Sequence, residues 1–138
     1  MSFREKSAWL MALLMAAAGL FYLHVVRGVS HVRGETVPSA TVIGFVILVV
    51  ICSVVAQIVL ALSSPKEANA PADERERIVQ QRAGNWSGLV LAAGAVFSLG
   101  HFMVYSDGIM LFHLVMASLI VSQIAEYAFQ IVLVRRSF

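Results

Sequence analysis

The chain has 138 residues, 59% of them hydrophobic and 13% charged, with a formal net charge of +2 and a mean hydropathy of +0.83. Soluble domains carry about 45–50% apolar and about 25% charged residues, so a soluble globular fold is excluded and one polytopic membrane domain over 1–138 is expected. A charge this small, placed at membrane edges, also argues against nucleic-acid binding. The partners it points to are the lipid bilayer, a second copy of the chain, or a larger membrane complex.

A bilayer core about 30 Å thick needs roughly 20 apolar helical residues. Residues 8–26, 39–62, 86–105 and 109–134 each satisfy this. The expected fold is therefore an all-α bundle of four transmembrane helices, built as two tandem hairpins. Hairpin one covers 1–62, a linker covers 63–85, and hairpin two covers 86–138. Arg4 and Lys6, the apolar run after them and Ala16-Ala17-Ala18-Gly19 look like a secretory leader. The apolar run continues to Val26, however, beyond the ~7–15 residues of a leader's apolar region. It reads as a retained first span. Ser2 with Glu5 has capping-box spacing, and Pro38 suits the first turn of the second span.

In the linker, 63–72 is rich in Ser, Pro and Ala and reads as irregular. Residues 73–85 read as a helical extension of the third span. Asp73 can cap its free amides, and Glu76 stands at the reciprocal capping-box position. Ser106-Asp107-Gly108 is a tight turn, which makes the third and fourth spans antiparallel neighbours. Of the ten Lys and Arg residues, only Arg27 and Arg33 fall at the end opposite the termini. The excess at the other end predicts that both termini are cytoplasmic. Trp9 and Trp86 then lie at the inner interface, where indoles prefer to sit.

The two hairpins read as copies. Trp9 precedes His24 and Trp86 precedes His101 at the same interval, with an offset of 77 residues between the pairs. Gln57-Ile58-Val59-Leu60 recurs as Gln130-Ile131-Val132-Leu133 at an offset of 73. Each copy crosses in, out and back, so the relation would be a pseudo-twofold axis along the membrane normal. The first and third spans would be symmetry mates and diagonal partners. Ala12 with Ala16, and Gly88 with Ala92, have the small-xxx-small spacing that lets helix backbones approach in lipid.

Two polar zones are candidates for chemistry. His24, His101 and His113 should share a layer near the end opposite the termini, because His101 and His113 flank the turn at equal intervals. His31 could approach them. An ionisable side chain inside a span is a functional candidate by default. His24 and His101 could ligate haem b from opposite sides, or all three histidines could hold a transition metal. The favoured reading is that they are interfacial histidines bonded to nearby backbone, with no cofactor. The second zone is Gln123, Glu126 and Gln130, one face of the fourth span, with Gln57 as the repeat equivalent of Gln130. Glu126 could relay protons or bind a cation in a small transporter, or join Gln57 in an interhelical hydrogen-bond cluster. No pattern of catalytic residues occurs, and an enzyme is not expected. The leading function is an accessory or structural role exerted through helix–helix contacts.

The segment Asp73-Glu74-Arg75-Glu76 leading through Ile78, Arg82 and Ala83 into an apolar helix resembles one in uncharacterised small bacterial inner-membrane proteins. Those proteins carry an acidic-basic segment at the cytoplasmic start of a helix. The resemblance covers the C-terminal half and implies a bacterial inner-membrane location. It implies no chemistry.

Overall fold

The computed structural model describes the backbone of residues 3–33, 39–68, 71 and 73–136, and their side chains except at 29–33, 39, 67 and 68. Ser2 and Pro38 lie outside the described residues, as does the side chain of His31. The described elements are all helical: α1 (Phe3–Arg33), α2 (Ser39–Ser63), α3 (Pro65–Ala68), α4 (Glu74–Tyr105) and α5 (Gly108–Arg136). Four of these, all but α3, are long and apolar enough to cross a membrane.

Two helices outrun their apolar stretches. α1 continues past Val26 to Arg33, because nothing between them breaks a helix more strongly than Gly28. α4 begins at Glu74, well before Trp86. Its start is the capping box read from the sequence. The Asp73 carboxylate accepts the Glu74 N–H at 2.7 Å, and Glu76 Oε2 accepts the Asp73 N–H at 3.4 Å. The stretch expected to be irregular contains α3. Pro65 supplies the preset φ of a first helical turn, and Lys66 and Ala68 are strong helix formers.

The α4–α5 connection is built by two residues. Ser106 adopts the left-handed conformation at φ 53° and ψ 27°, and its N–H closes α4 on the Phe102 carbonyl at 2.7 Å. Asp107 then caps α5, its carboxylate accepting the N–H groups of Ile109 and Met110, each at 3.0 Å. A left-handed residue ends one helix and an aspartate starts the next, so the chain reverses with almost no loop.

Packing centres on α5. It lies along α4 in the most extensive contact and along α1 in the next, while α2 leans only on α1 among the long helices. The spatial order is therefore α2, α1, α5, α4. The α4–α5 seam is made of small residues. A Cβ at Gly94 would fall on the Ser118 hydroxyl and lie 2.6 Å from the Ser118 Cβ. Ser87, Ser98 and Ser122 are buried beside it, and Ala83 is fully buried. Each serine hydroxyl returns to its own helix: Ser87 to the Gly84 carbonyl, Ser98 to Gly94, Ser118 to Leu114 and Ser122 to Leu119, all within 3.0 Å. A serine so bonded acts as a small, satisfied residue in an apolar seam. Small residues thus mediate close approach as expected, but at other positions. Gly88 and Ala92 are exposed.

The α1–α5 seam buries Ala8, Met11 and Tyr22 of α1 and Ile131 of α5, with Gly19 opposite Ile120. The residues 77 positions after Met11 and Tyr22 are Gly88 and Leu99, and both are exposed. One face of α1 is covered by α5, and the corresponding face of α4 has no helix against it among the described residues. The two hairpins are therefore packed unequally.

Candidate functional site

At the end bearing the α4–α5 turn, the histidines part ways. His113 of α5 meets α1: its Nδ1 lies 2.8 Å from the hydroxyl of buried Tyr22. The two rings are 6.0 Å apart, and Tyr22 also packs on Phe45 of α2 at 5.4 Å. A tyrosine hydroxyl in an apolar layer needs a partner, and the imidazole across the seam supplies it. His101 points elsewhere. Its ring lies 4.6 Å from that of Tyr105, one turn along α4. Its Nδ1 is buried and has no hydrogen-bond partner. His24 is exposed on α1.

These positions bear on ligation. No group of three or more His, Cys, Asp and Glu side chains that could hold a metal ion occurs among the described residues. His24, His101 and His113 do not form such a group. His24 and His101 stand on α1 and α4, which share no extensive contact. A cavity of about 230 Å³ does lie between α1 and α2, lined by Phe21, Tyr22, Phe45 and Leu48 among others, but no histidine lines it.

The polar stripe near the other end is also dispersed. Gln57 of α2 turns to α1, where it and Ser7 bond twice, at 3.1 and 2.9 Å. It does not join Glu126. Glu126 instead accepts from Gln130 one turn along α5, at 3.5 Å, and Gln123 is exposed. Gln57 and Glu126 are not hydrogen-bonded to each other, because α2 packs mainly on α1 and has no extensive contact with α5.

The end bearing the termini has a denser charged network, most of it not singled out in the sequence. Arg135 of α5 bonds Glu5 of α1 at 3.4 Å, and its guanidinium stands 5.6 Å over the Trp9 ring. Arg4 of α1 pairs with Glu76 of α4 at 2.9 Å. Trp86 packs on Phe129 at 5.7 Å. Two cavities open between α4 and α5 beside these contacts, sharing Arg82, Leu133 and Arg136. The available signal was the basic residue at each helix end: Arg135 and Arg136 close α5, and Arg82 precedes Trp86 by one turn. Which of them would be paired depends on which helices meet.

No family model, curated protein or solved structure matches this chain.

Proposed function

We propose that this protein is an accessory, non-catalytic membrane component that works through helix–helix contacts, with itself or within a larger membrane complex. The observation that carries this reading is α2. Its stretch Ala40–Ser63 has a hydropathy of 3.0, the highest of the four, and none of its most apolar part is buried within the chain. It touches one helix and leaves Ile47, Ile51, Val54 and Ile58 exposed along its length. A helix that contributes so little to its own fold is free to serve an interface. The unequal packing of the hairpins supports the same reading. If the 77-residue repeat is an ancient duplication, the face of α4 bearing Gly88 and Leu99 is the counterpart of the α1 face that α5 covers. It is then a second surface for a helix from outside the chain. The charge asymmetry at the helix ends supports cytoplasmic termini, and the acidic-basic segment before α4 supports a bacterial inner membrane.

Blue-native electrophoresis of mildly solubilised membranes tests the reading. The chain should migrate in an assembly well above its 15.0 kDa. Ile51→Trp with Ile58→Trp should shift it towards the monomer while leaving the helical circular-dichroism signal unchanged. A chain that runs as a monomer before any substitution would overturn the proposal.

The unpartnered His101 Nδ1 favours one other reading, a haem b or transition metal held by imidazole. That reading requires a Soret band or a stoichiometric metal in the purified protein, lost in His101→Ala. A colourless, metal-free preparation would eliminate it.

A further inference from the structure

We propose that the groove between α4 and α5, at the end bearing the termini, is a binding site for an anionic phospholipid. Two cavities lie there one above the other along the helices. The upper, about 240 Å³, is lined by Arg75, Arg82, Leu133 and Arg136 among others. The lower, about 570 Å³, shares Arg82, Leu133 and Arg136 and adds Trp86 and Phe129. On α4, Arg75, Arg82 and Trp86 follow at intervals of seven and four residues, so they project from one helix face. That face lies beside the small-residue seam with α5, which leaves a continuous groove.

The chemistry changes along this groove as it does along a lipid. Arg75, Arg82 and Arg136 surround the upper part, and no carboxylate lines either cavity. All three arginines are exposed, and none is in an ion pair among the described residues. By contrast Arg4 and Arg135 at the same end are engaged by Glu76 and Glu5. Guanidinium groups bind phosphate oxygens in a bidentate, charge-assisted geometry. Arg82 lies one turn, about 5–6 Å, from Trp86. An indole marks headgroup level, so a phosphate there would stand within reach of Arg82 and Arg136. The lower cavity, floored by Trp86, Phe129 and Leu133, would receive the upper part of an acyl chain. Basic pockets between transmembrane helices recognise anionic headgroups in this way. A zwitterionic lipid offers the same phosphate but brings an ammonium into a cluster of three unpaired cations. The site should therefore discriminate by headgroup charge. This inference needs only that the helices span a bilayer, and holds whether or not the chain has a protein partner.

Trp86 provides the reporter. With Trp9→Phe, Trp86 is the sole tryptophan, since the chain has two. The full chain would be reconstituted in phosphatidylcholine vesicles containing a fixed fraction of brominated phosphatidylglycerol or brominated phosphatidylcholine, and Trp86 quenching compared. Several-fold preferential quenching by the brominated phosphatidylglycerol is expected. Unbrominated phosphatidylglycerol should relieve it by competition, a readout that needs no further substitution. Arg82→Gln with Arg136→Gln should bring the two lipids to parity and Arg82→Gln alone should weaken the preference, whereas Arg77→Gln removes the same single charge from α4 outside the groove and should preserve it. Equal quenching by both lipids would overturn the proposal, as would a loss in Arg77→Gln as large as in Arg82→Gln alone. Abolition of the preference by inorganic phosphate, but not by sodium chloride at matched ionic strength, would assign the site to free phosphate instead.

Discussion

Single residues in this chain act through what stands opposite them. Gly94 and Gly88 are both helical glycines six residues apart, yet only Gly94 faces another backbone closely. Gly94→Leu should destabilise the protein by roughly 1–3 kcal/mol through overpacking, because the new side chain would meet Ser118. Gly88→Leu should change stability by less than about 0.5 kcal/mol, since nothing lies within 4 Å of its Cβ position. Thermal unfolding in one detergent reads both; equal losses would refute the α4–α5 seam. Tyr22→Phe removes the hydroxyl that meets His113 at 2.8 Å. Interhelical hydrogen bonds in membranes are worth about 0.6–2 kcal/mol, and a loss of that size is expected in the same assay. Of His113 and Tyr22, the first was visible in the sequence as a polar residue near the turn. Their pairing was not, because depth fixes position along a helix and not the direction a side chain takes around it.

At the scale of elements, helix ends and helix faces were unequally legible. The start of α4 follows from Asp73 and Glu76, whose bonds to nearby amides are local and need no partner helix. The same holds for the turn at Ser106 and Asp107. The expected irregular linker was replaced at Pro65–Ala68 by α3, also for local reasons. The small-residue contacts were foreseen as a type and misplaced in position. α2 is the weakest attachment in the molecule. It is held to α1 by Gln57 with Ser7 at one end and by Phe45 against Phe21 and Tyr22 at the other. Gln57→Leu combined with Phe45→Ala should raise amide hydrogen exchange along α2 while α4 and α5 keep their protection. Uniform loss of protection across all four long helices would show that α2 is integral to the fold.

At the scale of the whole molecule, the proposed orientation, with both termini cytoplasmic, is tested by labelling. In a Cys52→Ser background, Asp107→Cys should react with an impermeant maleimide applied to intact cells, and Lys66→Cys should react only after permeabilisation. The reverse pattern would invert the proposed topology. Composition and run length determined by themselves the all-helical character of the described residues and the four helices among them able to cross a membrane. Apolar length and local capping are properties of contiguous residues and survive without knowledge of the neighbours. The tertiary structure alone decided which helices meet. It put α5 between α1 and α4, left α2 on the margin, and sent Gln57 to Ser7 and not to Glu126. It also separated the histidines, giving His113 to Tyr22 and leaving His24 exposed. In lipid almost every apolar face is acceptable to the solvent, so hydrophobic pattern does not select the partner. Close backbone approach and the satisfaction of a few polar groups do, and both are relations between residues far apart in the chain.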